Sequence, residues 1–143
     1  MADIDTLNYN EKNIAEFRAN GGKLASFGDA PVLLLSTIGA KTGQQRTTPM
    51  MYLADDSDPN LVYVFASAAG ASTNPDWFHN VVAHPAEITV ELGNRSLHGT
   101  AEVLAEPKRG RVYARQAAHY PAFADYQAKT KRLIPVIAIT LGG

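Results

Sequence analysis

The sequence predicts an α+β protein built on one antiparallel sheet that can close into a barrel. About six strand-like segments and four helical ones follow one another, with the strands in consecutive hairpins rather than in strict alternation with helices. That order argues against a doubly wound parallel sheet. At 143 residues the chain is close to one domain on a scale of roughly 150 residues, and too short for a barrel of eight α/β units. A single domain over 1–143 is expected, with an N-terminal helix in 1–22 and the barrel core in 31–141.

The elements follow in order. Asn10 to Asn20 reads as a short helix with Ile14, Ala15, Phe17 and Ala19 on one side, ended by Gly21-Gly22. Such a helix docks on the body; a lid or a membrane-surface helix is the rival, for which it offers little apolar area. Val32-Leu33-Leu34-Leu35 is too short an apolar run for a helix and predicts a buried strand. Arg46 to Leu53 is a second extended segment. Asp55 to Asn60 is a polar surface turn, and Leu61 to Ser67 a third strand, so that the three form an antiparallel meander.

After the small-residue loop Ala68 to Thr73, Asn74-Pro75-Asp76 predicts a helix start, with Asn as N-cap and Pro at the first helical position. That helix must stop before Pro85. Strands over about Glu87–Leu92 and Ser96–Ala105 are joined at Gly93-Asn94. Glu106-Pro107 opens a helix with Val112, Tyr113, Gln116 and Ala117 inward. A short helix over about Ala122–Lys129 precedes a last strand, Ile134–Leu141.

Composition narrows the chemistry. With 13 Lys+Arg and 14 Asp+Glu the formal net charge is −1, which gives no global attraction for nucleic acid or an anionic membrane. A chain that is 45% hydrophobic and 19% charged lies in the globular range. The absence of cysteine excludes disulfides, thiolate metal sites, Fe–S clusters and a cysteine nucleophile. Met1 to Leu7 carries two acidic residues and no apolar stretch, so no secretory signal is expected there. No apolar run approaches the roughly 20 residues that span a bilayer. A cytoplasmic monomer is expected.

Gly39-Ala40-Lys41-Thr42-Gly43-Gln44-Gln45-Arg46-Thr47-Thr48-Pro49, between two strands, is the stretch richest in chemistry. It puts Lys, Arg and three threonine hydroxyls within eight residues, beside glycines that let backbone approach a ligand. This suits a phosphate-bearing tail, with Arg46 as a bidentate fork and Lys41 as a point charge; a solvated turn is the plainer reading. It is not a Walker A loop, because one residue separates Gly39 from Lys41 and a strand follows. Trp77-Phe78 at a helix start, with Tyr120, Phe123 and Tyr126 at spacing three, can wall a planar ring or simply fill a core.

The remaining chemistry is sparse. His79 and His84 are five apart, off the spacing that puts two ligands on one helical face; with His98 and His119 isolated, no metal site is expected. There is no Gly-x-Ser-x-Gly elbow and no dinucleotide-binding glycine fingerprint. An enzyme so equipped takes its reactivity from an organic cofactor.

Taken in order and spacing, Leu33 through Tyr52, Ala66-Ser67, Asn74-Pro75-Asp76-Trp77-Phe78-His79-Asn80, Tyr120 through Gln127 and Arg132-Leu133-Ile134-Pro135-Val136 resemble the deazaflavin-dependent nitroreductase family. The likeness runs from about Val32 to Ile139. It implies a split β-barrel of the flavin-reductase, FMN-binding type and the use of coenzyme F420. The reduced coenzyme would give a hydride to quinones, nitroaromatics or other electron-poor rings.

The resemblance implies that Ala40, Lys41, Thr42 and Arg46, then Thr47, Thr48, Pro49, Met50 and Met51, hold the coenzyme's phosphate and acidic tail. Phe65, Ala66, Ser67 and Ala68 at the third-strand end would bracket the ring, opposite Asp76, Trp77, Phe78, His79 and Asn80. Phe123 and its neighbours would close the substrate side, with Ser67, Tyr120 and Tyr126 as candidates for orienting substrate or delivering a proton. Two departures stand out: Ala68 occupies a position where the family often has lysine, and Phe123 lacks the hydroxyl of a tyrosine-rich wall. An FMN-dependent oxidoreductase of the same fold, or a non-catalytic carrier of a deazaflavin or other ring compound, are the alternatives; peripheral membrane contact by the N-terminal helix has weak support.

Overall fold

The computed structural model describes residues 9–142; Met1 to Leu7 lie outside them. The order is α1 (Tyr9–Ala19), β1 (Val32–Ile38), β2 (Gln45–Met51), β3 (Leu53–Ala54), β4 (Leu61–Phe65), α2 (Asp76–Ala83), β5 (Ile88–Leu92), β6 (Arg95–Val103), α3 (Lys108–His119), α4 (Ala122–Lys129) and β7 (Val136–Leu141). All seven strands share one sheet in the order β2-β1-β5-β6-β7-β4-β3, and every pairing is antiparallel.

The two ends of that order, β2 and β3, are neighbours in sequence, separated by Tyr52 alone. The sheet therefore curls until its edges meet at one bent run, and the result is the expected split barrel. The segment Arg46–Leu53 is consequently not one strand of a meander. Its first part pairs with β1 from Val32↔Met51 to Ile38↔Gln45. Beyond the bend Leu53 and Ala54 pair with Tyr63 and Val62, while β4 takes β7 as its other partner. Tyr52 N donates to Pro31 O at 3.2 Å, which fixes the corner. Pro49 sits opposite Leu34 in β2, on an edge strand where a missing N–H is tolerated.

Alternation along each strand divides the apolar residues between the two faces. Leu33 and Leu35 of β1, Val62 and Val64 of β4, and Ile137, Ile139 and Leu141 of β7 point into the barrel with Val90, Ala101 and Trp77. On the outer face Val32 and Leu34 meet Phe17 and Leu24, under α1. Tyr63, Phe65, Val136 and Ala138 meet Val112, Tyr113 and Phe123, under α3 and α4. The continuous apolar run in β1 follows from this, since a strand covered on both faces has no solvent side. Each buried Leu, Ile, Val or Phe contributes roughly 1.5–3 kcal/mol.

Candidate functional site

A cavity of about 940 Å³ opens between the β1–β2 loop, β2, the start of α2 and the first turns of α1. Its loop side is built by local hydrogen bonds. Gly39 N donates to Gln44 O at 2.7 Å and Gly43 N to Gly39 O at 2.9 Å, closing the turn. Thr42 Oγ1 accepts from Gln44 N at 3.2 Å, which leaves its O–H to donate outward. A Cβ on residue 39 would stand 2.5 Å from Thr42 Oγ1, so a side chain there would displace Thr42 from the turn. Lys41 and Arg46 stand exposed at the rim. Ser36 and Thr47 share a hydroxyl hydrogen bond of 2.8 Å, and Thr48 lines the cavity beside them.

Asp76, Trp77, His79 and Asn80 of α2 form the opposite side. Trp77 is buried in the barrel core and also lines the cavity. Asn80 is 8% exposed and accepts from Ala40 N at 2.9 Å through Oδ1. The cavity wall is therefore mixed in charge, with Lys41 on the loop, Arg46 at the start of β2, and carboxylates at Asp76 on α2 and Glu11 on α1.

The cavity gathers Ala40, Lys41, Thr42, Arg46, Thr47, Thr48, Asp76, Trp77, His79 and Asn80, all singled out in the sequence. Other residues singled out lie elsewhere. Met50 is in the barrel core with Phe78 packed against it; Pro49 is half-buried in the edge strand and Met51 packs on the outer face. Phe65 and Ala66 are buried, and Ser67 and Ala68 belong to the turn that follows β4.

The late aromatic segment packs on the outer face of the sheet. Phe123 is 7% exposed and meets Phe65, Tyr113 and Tyr126 edge to face at 5.6, 6.3 and 5.2 Å. Tyr120 and Tyr126 pack against the same cluster. Spacing three turns these rings toward the sheet, and the cavity is lined by none of them. The groups with displaced pKa are also elsewhere: burial pushes Tyr113 up to about 12, and the Tyr63 hydroxyl holds the Asp55 carboxyl well below the usual range.

Asn10, Glu11 and Ile14 of α1 line the cavity without having been marked by sequence, where this helix had only the signature of a docking element. Asn10 Nδ2 donates to Thr47 O at 3.4 Å. The helix start of α2 also differs in detail. Pro75 is the N-cap residue, with no side-chain cap bond, because Asn74 Oδ1 accepts from Arg132 at 2.7 Å instead. Among the described residues no group of three or more His, Cys, Asp or Glu could hold a metal ion, and no helix is long and apolar enough to cross a membrane.

The family model described as F420H(2)-dependent quinone reductase matches residues 10–140. An F420H(2)-dependent quinone reductase of Mycobacterium tuberculosis is 34% identical over 131 residues, 88% of this chain and 85% of that protein. Among solved structures, one described as F420-H2 dependent reductase (FDR-A) is 34% identical with a TM-score of 0.67, covering 76% of this chain and 93% of that one. Another, described as a domain-swapped dimer, is 32% identical with a TM-score of 0.69, covering 90% and 92%. That description does not fit the monomer expected from the sequence.

Proposed function

The chain belongs to the F420H(2)-dependent quinone reductase family, and from that premise we propose that the cavity between α1, the β1–β2 loop and α2 is its coenzyme and quinone site. It is an F420-dependent reductase. The relatives' names refer to F420H(2), and none of them supports FMN in its place.

The observation that carries the placement is the pairing, in one cavity, of two exposed cations with a buried indole. Coenzyme F420 is a planar ring with a long phosphate- and carboxylate-bearing tail, and the cavity's residues fit both ends. Lys41 and Arg46 supply charge-assisted donors for the tail, with the Thr42 hydroxyl and the Gln45 amide beside them. Trp77 supplies an apolar wall for the ring. The volume of about 940 Å³ is within the roughly 300–1,000 Å³ of small-molecule sites.

When bound, the reduced coenzyme supplies a hydride. The protein's part is alignment: it holds the tail at the loop, holds the ring against Trp77, and leaves the space beside α1 for a flat electron-poor acceptor. Ser67, Tyr120, Tyr126 and solvent stay the candidates for delivering a proton, with His79 on the cavity wall as a further one. Nitroaromatics are proposed as further acceptors, since a flat electron-poor ring is what the space admits. A fluorescence titration with coenzyme F420 tests the placement: wild type should bind, and Lys41→Ala and Arg46→Ala should each bind more weakly. Unchanged affinity in both variants would remove the tail from this loop.

A further inference from the structure

Arg132 takes the place of a backbone donor that the sequence withholds. β4 and β7 pair in register from Leu61↔Thr140 to Phe65↔Val136, and the next rung would join Ala66 to Pro135. Ala66 N donates to Pro135 O at 3.0 Å. Proline has no N–H to return the bond, so Ala66 O lacks its ladder partner, and a buried carbonyl requires one. Ala66 is fully buried. The Arg132 guanidinium meets the need, Nη1 donating to Ala66 O at 3.1 Å.

The same guanidinium gathers the whole turn that follows. Nη2 donates to Ser67 O at 2.9 Å, Nε to Ala71 O at 3.0 Å and Nη1 to Asn74 Oδ1 at 2.7 Å. Its own backbone is fixed, because Gln127 Nε2 donates to Arg132 O at 2.7 Å and Gln127 Oε1 accepts from Ile134 N at 3.0 Å. Between the acceptors lie Ala68 and Ala69, with φ of 45° and 52°, a left-handed conformation that alanine keeps only where its surroundings fix it. Gly70 follows at φ 83°, where a Cβ would stand 2.9 Å from Tyr126 O. The turn is thus seated on α4.

Two residues beyond Asn74 the chain enters α2, which carries Asp76, Trp77, His79 and Asn80 to the cavity. We propose that Arg132 is a positioning residue of the reductase: by replacing the Pro135 N–H and binding four acceptors on one turn, it sets where α2 begins and where Trp77 stands against the coenzyme ring. This rests on the reading of the cavity as the coenzyme site. Lysine substitutes only in part, since one ammonium has no planar fork with which to span separated carbonyls.

Trp77 is the single tryptophan, so its emission reports on this wall without any turnover. Wild type, Arg132→Gln, Arg132→Lys and Asn74→Ala are compared with Arg111→Gln, a control on the exposed side of α3, for Trp77 emission, affinity for oxidised coenzyme F420, and kcat and KM with one quinone. Circular dichroism sets the folded fraction in each. Arg132→Gln is expected to weaken coenzyme binding about tenfold or more per folded molecule, with Arg132→Lys and Asn74→Ala between it and wild type. Trp77 emission shifts in the same order, and Arg111→Gln stays with wild type. Coenzyme affinity and Trp77 emission equal to wild type in folded Arg132→Lys and Asn74→Ala overturn the assignment, also where Arg132→Gln does not fold. A wild type that fails to bind the coenzyme overturns the reading of the cavity instead, and the emission series alone then decides the role of Arg132.

Discussion

Ala40 in the β1–β2 loop donates its backbone N–H to Asn80 Oδ1 at 2.9 Å, and Asn80 Nδ2 donates to Thr37 Oγ1 at 3.2 Å. One buried amide so joins the cationic loop to the helix that carries Trp77. Asn80→Ala leaves a loop N–H and a buried hydroxyl without partners, and is expected to destabilise the fold by about 1–3 kcal/mol. Coenzyme affinity per folded molecule should fall as well, because the loop loses its register against α2. Denaturant unfolding together with a coenzyme titration checks both, and an affinity unchanged after correction for folding would contradict the joining role.

Lys41→Ala and Arg46→Ala each remove an exposed cation from the rim. A charge-assisted contact contributes roughly 1.5–3 kcal/mol, so each variant should raise the coenzyme Kd by about 10- to 150-fold. Added salt should weaken binding to wild type more than to either variant, since the interaction they lack is the screened one. A salt titration with equal slopes in all three would contradict this.

Asp55 offers a pH test of the fold. Its carboxylate accepts from Tyr63 Oη at 2.5 Å and from Ser57 N and Asp58 N at 3.1 and 2.9 Å, which holds its pKa well below the usual range, the Tyr63 bond first among the causes. A depressed folded pKa means the unfolded chain binds the proton more readily. This contribution to stability is therefore complete above an ordinary carboxyl pKa of about 4 and is lost as pH falls from there toward the folded value. Asp55→Asn should flatten the acid limb of the stability curve while changing little at neutral pH beyond the lost bonds. Tyr63, pushed up to about 12 chiefly by burial, has the opposite sign: its contribution is complete below an ordinary tyrosine pKa of about 10 and is lost as pH rises through the raised value. An Asp55→Asn curve that parallels wild type from pH 3 to pH 5 would contradict the assignment.

Phe123 separates core from pocket. Tyr113 Oη donates to Phe123 O at 2.5 Å, and both rings pack on Phe65. Phe123→Ala is expected to cost about 3–5 kcal/mol in stability, with kcat and KM for a quinone unchanged per folded molecule at low temperature. A stable variant with an altered quinone KM would return Phe123 to the substrate wall.

How much of this was legible in the sequence follows from how local each signal is. α4 forms over Ala122–Lys129 as read, because Tyr120-Pro121 before it and the aromatic spacing within it are local features. The loop of Lys41 and Arg46 was legible for the same reason. The bend at Tyr52 was not: Thr47 to Met51 before it and Leu53-Ala54 after it continue an extended pattern, and only closure of the sheet breaks it. The part of α1 in the cavity was hidden because Asn10 and Glu11 look like any exposed helical face until β2 is placed beneath them. The packing of Phe123 on Phe65 and Tyr113 was hidden because spacing three shows that rings share a face without showing what the face meets. Pro135 was visible throughout, but its consequence for Arg132 needed the register of β4 on β7.

The central claim is that this cavity binds coenzyme F420 and that the bound reduced coenzyme is oxidised by quinones. The most direct measurement incubates the protein with reduced coenzyme F420 and, separately, with NADPH and FMN, against benzoquinones, naphthoquinones and nitroaromatics, following reoxidation of each donor. Turnover of quinones with reduced coenzyme F420, none with NADPH and FMN, and loss of the first activity in Lys41→Ala and Arg46→Ala is the predicted result. Turnover with NADPH and FMN alone, or undiminished F420-dependent turnover in both variants, would contradict it.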